Sequence, residues 1–509
     1  MTNLYDASQK SVSFLLRLLF GKQPPASVRW SVNDSLSNAA GTRGGMIIGD
    51  PSCGKTRYAA MQLYKRMKEN PRQAIFVFDW SGSIVNCLLD LIVRDPDYKN
   101  LLRRVVFDEL GSEEWIIPKP EFHAAYGLTD EEQVNRVIGN IERLSVFMTQ
   151  SAGFLTETSK EIGKELFRLL TAIKNEHGES WQITEAKRLL IDLNLLEIAV
   201  DNYGHSQKSA QWFFKREYLD KNFVKSSERE LSTKALRNIL SSLDGREVRA
   251  TLGYYRPGWT PKEATEKGQL VLIDAHKMIN QPDAQHYLLM QNFSLVMSWI
   301  NKREVDDPSN EPVTIAFDET YTILKIPGMA EWLGMVSPIY RARKIQLLII
   351  IQALWQLDEN LARQVWSLGN IVSFAVSNVD EAETIARQLF TYDPQYIKHA
   401  PKTEQQNATT ESQQGQDRLI ADWIQNLKPR EFIMRRFVTE QQRDPGVIYI
   451  PKTSEFPNNK PYEDRNEVKQ WLLRGRGVTV RESLNETNKR DLTKSGKQTG
   501  GNTKKPTYL

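Results

Sequence analysis

GGMIIGDPSCGKTRYAAMQLYKRMKE, residues 44–69, decides how the rest of the chain is read. An apolar run ends at Gly49. The eight residues Gly49–Thr56, GDPSCGKT, then satisfy the spacing G-x-x-x-x-G-K-[ST], and a good helix former follows until Asn70-Pro71. That spacing arises by chance in only about 1–2% of chains of this length, and the strand before it and helix after it are the context a phosphate loop requires. The glycines let backbone N–H groups wrap phosphate oxygens, and the helix N-terminus adds the positive end of its dipole. The loop Gly49, Asp50, Pro51, Ser52, Cys53, Gly54, Lys55 and Thr56 is therefore expected to hold ATP. Lys55 is placed to reach the β- and γ-phosphates and Thr56 to ligate Mg2+.

Outward from the loop, AIFVF (74–78) is a second buried-type strand stopping at Asp79, with a turn and a helix after it, and RRVVF (103–107) is a third. Such alternation predicts an α/β fold with a mostly parallel sheet covered on both faces. From about 120 to 262 strand-like runs vanish and helical periodicity takes over, as in KELFRLLTAIKN and ITEAKRLLIDLNLLEIAV, which reads as an inserted, mostly helical domain. The sheet pattern resumes with QLVLID (269–274). A long helix follows with Leu289, Phe293, Val296 and Ile300 on one face, and then the strands VTIAF (313–317), QLLIII (346–351) and IVSFAV (371–376). Segment 401–418 is polar and loop-like, and a short module with REFIMRRF and GVIYIP leads to the C-terminal tail.

The bulk numbers agree with an ordinary soluble protein of two or three domains: 509 residues, 40% hydrophobic, 26% charged, net charge +4. Six scattered histidines and two distant cysteines, Cys53 and Cys87, argue against a metal centre or disulfide framework and for a reducing compartment. From Arg474 onward there are nine Lys/Arg against three Asp/Glu, so the tail carries +6 and the rest about −2. Its last twenty residues are too polar to bury a core and are expected to be disordered, and they would add non-specific attraction to nucleic acid. SVSFLLRLLF (11–20) reaches half of the ~20 residues of a spanning helix and is interrupted by Arg17. It reads as a short amphipathic helix packed on the body, or as a docking helix for a membrane or partner.

VTIAFDET (313–320) ends an apolar strand in Asp318-Glu319. At the C-terminal edge of a parallel sheet, Asp318 is suited to hold Mg2+ through water, and Glu319 to polarise the attacking water as a general base. Gln352 directly follows QLLIII. It is either a γ-phosphate sensor or an ordinary strand-terminal glutamine.

The series GDPSCGKT, FVFDWSGSI, GQLVLIDAHK, IAFDET, RARKIQLLIIIQALWQL and NIVSFAVSNVDEAETIARQLF resembles the HerA/FtsK superfamily of P-loop ATPases, most of all the coupling proteins of conjugation and type IV secretion. The similarity spans roughly residues 40–440, with the helical insertion where those proteins carry an all-α domain. The resemblance implies RecA-like cores in a homo-hexameric ring, with ATP hydrolysed between subunits to move single- or double-stranded DNA through the channel. It makes Gln352 the sensor glutamine and Arg343 an arginine finger reaching a neighbour's site, with Arg341 the second choice; either arginine also reads as a surface charge. It implies relaxase-type or secretion-channel protein partners. The implied layout is an N-terminal helical segment (1–40), an ATPase core in two parts (41–119 and 263–450), the inserted helical domain (120–262) and a C-terminal extension with a basic tail (451–509). Two departures stand out. Membrane-bound coupling proteins begin with a transmembrane pair, and no transmembrane segment is visible here, so the expected location is cytoplasmic, or peripheral at the inner membrane face through partners. The loop also carries Asp50 and Cys53 where small neutral residues are more usual.

QWFFKREYLDKNFVK (211–225) interleaves Trp212, Phe213, Phe214, Tyr218 and Phe223 with Lys215, Arg216, Lys221 and Lys225. Such a stretch could stack bases and meet phosphates; an amphipathic helix with an aromatic core face explains it as cheaply, and we take that reading. Three functions fit the motifs: an ATP-driven DNA translocase in conjugative transfer, a secretion-apparatus assembly ATPase with no DNA in its pore, and a nucleotide-gated interaction module with negligible turnover. The intact Lys55, Asp318 and Glu319 speak against the third.

Overall fold

A computed structural model describes residues 44–148, 155–220, 226–307, 309–321, 342–357, 359–366, 368, 370–389, 397–399, 409–410, 412–435 and 459–490. The main strands are β1 (Gly45–Ile48), β2 (Ala74–Asp79), β3 (Val105–Glu109), β4 (Leu270–Asp274), β5 (Val313–Phe317), β6 (Ile345–Ile351), β7 (Asn370–Ser373) and β8 (Ile433–Arg435). The chain divides into two compact units, residues 1–62 with 346–456 and residues 63–345 with 457–509.

In the first unit β1 lies between β6 and β7 and runs parallel to both, pairing Gly45 with Leu348 and with Asn370. β8 adds an antiparallel edge, Ile433 opposite Ser373. All seven residues of β6, IQLLIII, are buried, as expected of a β-branched run covered on both faces. The sequence pattern placed REFIMRRF in a separate final module. Its Ile433–Arg435 instead completes the sheet beside β7, a pairing across sixty residues that no local signal announces. Among the described residues, Thr409–Thr410 of the segment NATTES pairs with Ile397–His399.

The second unit carries four parallel strands in the order β5-β2-β4-β3. Every residue of these strands is buried. Between β3 and β4 the regular structure among the described residues is mostly helical, with helices Asp130–Phe147, Glu157–Ala172, Ile183–Ile191, Leu193–Tyr203, Ser226–Ser242 and Arg246–Gly253. The sequence places their starts: Thr129 and Glu132 form a reciprocal capping box on the first of them. At the base of this insertion two ion pairs are fully buried. Lys119 meets Asp108 at 2.6 Å, with the Trp259 indole N–H donating to the same carboxylate. Arg136 meets Glu121 at 2.7 Å.

Part of the C-terminal extension is folded rather than tail-like. Helices Arg465–Arg476 and Val480–Asn488, capped by Asp464 and Thr479, pack in the second unit. Val478–Thr479 pairs antiparallel with Trp115–Ile116, and Tyr462 stacks on Tyr98 at 5.3 Å. The N-terminal segment 1–40, Arg341, the GVIYIP stretch and residues 491–509 of the basic tail lie outside the described residues. Among the described residues no helix is long and apolar enough to cross a membrane.

Candidate nucleotide site

β1 ends at Ile48, and six residues separate it from the helix Lys55–Glu69. The intervening loop turns by way of three left-handed residues, Gly49 (φ +152°), Ser52 (+64°) and Gly54 (+113°). At Gly49 glycine is obligatory on two counts, since a Cβ there would also stand 2.6 Å from the Phe374 Cβ. The Lys55 ammonium is buried and curls back into the loop, donating to the carbonyls of Gly49 and Asp50, both at 2.7 Å. The loop thus carries a positive charge inside a ring of backbone, an arrangement suited to phosphate.

The two unusual loop residues have structural roles. Asp50 ties the loop to the chain after β7: its N–H donates to the Ala375 carbonyl and its carboxylate accepts from the Ser377 N–H, both at 2.8 Å. Cys53 is buried with its Sγ 3.9 Å from the Lys55 ammonium. Burial pushes its thiol up, against the pull of that neighbouring charge, so it stays neutral. Behind the loop, Tyr58, Phe374 and Phe432 pack ring against ring. Gln352 sits directly past β6, half-buried, and its N–H donates to the Gln356 side chain at 3.1 Å.

In the second unit, parallel register brings strand ends to one level. Asp79 is the partner of Asp274, Asp274 is the partner of Glu109, and Asp318 follows Phe317, the partner of Phe78. Four neighbouring strands therefore end in a row of carboxylates, Asp318, Asp79, Asp274 and Glu109, with strands about 4.8 Å apart. Such a row has to shed or balance charge, and each member is treated differently. Lys277 meets Glu109 at 2.8 Å. Asp274 bonds the His276 ring at 2.7 Å and has the Lys469 ammonium 3.7 Å away. Asp79 accepts three backbone N–H bonds, from Ser81, Gly82 and Val85. Even so, burial first, and the nearby Asp318 and Asp274 charges after it, push its pKa up to about 7. Ligand atoms of Glu109, Asp274 and His276 lie within 4.8 Å of one another, but the two lysines already supply their counter-charge.

Asp318 is buried, and its N–H donates to the Phe78 carbonyl at 3.0 Å. Glu319 follows in a left-handed conformation, φ +49°, with its N–H on the Asp318 carboxylate at 3.0 Å. A non-glycine residue held at positive φ is strained by about 1 kcal/mol, and here the strain falls on the residue expected to act as base. Arg343 is half-buried, with its Nε donating to the Arg303 carbonyl at 3.0 Å within its own chain.

The sequence did not single out Asp79 or Asp274, although a signal was present: each of the runs AIFVF, RVVF, LVLI and VTIAF stops at an acidic residue. For the aromatic stretch the packing reading holds. Phe213, Phe214 and Tyr218 are core residues in edge-to-face contact, and Lys215 pairs with Asp201 at 2.6 Å. Trp212 is exposed, while Lys221, Phe223 and Lys225 lie outside the described residues.

Residues 312–429 match the family model described as the TraM recognition site of TraD and TraG. The plasmid coupling protein TrwB solved with ADP and Mg2+ has a similar structure, at a TM-score of 0.50 and 13% identity, over 88% of this chain and 93% of that one. TrwB with a non-hydrolysable ATP analogue gives 0.50 and 14%, over 83% and 89%. None of the curated proteins matches by sequence. The fold is thus the RecA-like P-loop fold expected from the sequence, mostly parallel in its sheet and rich in helix, and the resemblance to coupling proteins is borne out.

Proposed function

We propose that this chain is an ATP-hydrolysing motor of the conjugative coupling-protein kind, which couples turnover to the movement of DNA. The observation that carries this reading is the Gly49–Thr56 loop, with its three left-handed residues and the Lys55 ammonium turned inward. TrwB has been solved with ADP and Mg2+ and with a non-hydrolysable ATP analogue, which supports the same ligands here.

The donors fit those ligands. Lys55 and the loop N–H groups suit a polyphosphate, and the Thr56 hydroxyl and Asp318 carboxylate are the hard oxygen donors that Mg2+ prefers. The bound nucleotide supplies a phosphoanhydride whose cleavage drives the motor. Lys55 neutralises β- and γ-oxygens. Glu319 takes the proton of the attacking water. Gln352 reports whether a γ-phosphate is present. Arg343 stabilises developing charge at a neighbouring subunit's site; its Nε already holds the Arg303 carbonyl, so this role falls to the terminal guanidinium nitrogens.

A cytoplasmic homo-hexamer, brought to the inner face of the membrane through relaxase-type or secretion-channel partners, completes the proposal. The match of residues 312–429 to a TraM recognition site supports a protein partner for that region. The test is the ATPase rate with and without single- and double-stranded DNA, together with oligomer mass in ATP. DNA-stimulated hydrolysis is expected; hydrolysis indifferent to both DNA forms would favour the apparatus-assembly reading. Glu319→Gln should retain ATP binding and lose turnover at least 100-fold, and parental turnover in that variant removes Glu319 as the base.

A further inference from the structure

One residue near the phosphate loop has no part in the roles above. Arg430 lies in the turn Lys428–Glu431 that leads into β8, and its backbone N–H donates to the Cys53 carbonyl at 2.8 Å. Its stem lies on the loop one residue before Lys55: a Cβ at Gly54 would meet the Arg430 Cγ at 3.4 Å and its Cα at 3.5 Å. The residue is held at φ +73°, a conformation glycine adopts freely and a long side chain adopts at a cost. A strained residue laid against a ligand loop is where function is to be sought.

The strand order gives the direction. β1 has β6 on one side and β7, then β8, on the other. Gln352 extends from β6, and its proposed role as γ-phosphate sensor puts the γ-phosphate end of a bound nucleotide on that side. The nucleoside leaves on the opposite side, where the chain after β7 and the Arg430 turn are both tied to the loop, through Asp50–Ser377 and Arg430–Cys53. The Gln425 side chain joins these two segments by donating to the Ser377 carbonyl at 3.0 Å.

We infer that Arg430 is a nucleotide-binding residue supplied from within the same subunit, its guanidinium plane covering the base of the nucleotide held in the Gly49–Thr56 loop. This rests on the nucleotide-site reading proposed above. A guanidinium is planar, weakly hydrated and always charged, and it stacks on aromatic faces in a way an ammonium does not. Covering the base by stacking is tolerant of base identity.

The test is calorimetric binding of ATP, ADP and inorganic tripolyphosphate to the full chain and to Arg430→Gly, which keeps the positive-φ backbone and deletes only the side chain. The variant should bind ATP and ADP about tenfold more weakly and tripolyphosphate, which lacks a nucleoside, as well as the parent does. Arg430→Lys, which keeps the charge without the plane, should lose affinity like the glycine variant. Unchanged ATP affinity in Arg430→Gly overturns the inference. So does an equal loss for all three ligands, which would make Arg430 a shaper of the loop, and so does parental affinity in Arg430→Lys. If the parent chain binds neither ATP nor tripolyphosphate, the nucleotide site itself falls and this inference with it.

Discussion

Asp79→Asn should change how stability depends on pH. In the folded chain the Asp79 pKa rises from 3.8 to about 7. A carboxyl whose folded pKa is raised contributes stability that is fully present below about pH 4 and is lost as pH rises through 7. Between about pH 5 and 6 the folded chain holds about one proton more than the unfolded chain, a slope of about 1.4 kcal/mol per pH unit that halves near pH 7 and vanishes above it. From pH 5 to pH 8 the parent should therefore lose about 2.6 kcal/mol through this one group. The groups facing Asp79 are the Asp318 and Asp274 carboxylates and the Ser81, Gly82 and Val85 amides. His276, whose pKa is raised by its bond to Asp274, adds a dependence of the same sign, so the variant keeps a residual slope. The variant also loses one accepted N–H bond, at about 1–3 kcal/mol, and should be the less stable protein at pH 5. That deficit should shrink by about 2.6 kcal/mol at pH 8. The assay is urea unfolding at pH 5, 6, 7 and 8 in EDTA, without nucleotide. Parallel curves for parent and variant would refute the account, because Asp79 would then be ionised in the fold throughout.

Two further outcomes follow from packing. Gly49→Ala puts a Cβ 2.6 Å from the Phe374 Cβ at a backbone φ of +152°; it should cost about 1–3 kcal/mol and abolish measurable ATP binding by calorimetry. Lys119→Met leaves the buried Asp108 carboxylate with the Trp259 indole but without its ion pair, and should destabilise by about 3–5 kcal/mol in thermal melts. Adding Asp108→Asn should restore more than half of that loss, since the penalty is an uncompensated charge rather than lost packing.

Most strands were legible because they are short, predominantly apolar runs rich in β-branched residues, and the loop was legible because its spacing is a local property of eight residues. The helical middle was legible from its periodicity. What escaped was every feature made by distant segments: the antiparallel edge strand Ile433–Arg435, the folded stretch 459–490 and the Arg430 turn on Cys53. Asp79 shows the boundary well. Its place at a strand end could be read, but its proximity to Asp318 and Asp274, which sets its charge, comes from the register of three strands that are far apart in the chain.

By itself, then, the sequence determined the P-loop, the α/β class and the acidic residues at the strand ends, because these depend on short-range pattern: period, spacing and the conformational demands of glycine. Only the tertiary structure decided which carboxylates share one level, that Asp50 and Arg430 fasten the loop from one side, and that the aromatic stretch around Phe214 is core rather than surface. Pairing, burial and the electrostatics that follow from them are properties of chain segments brought together, and no single segment carries them.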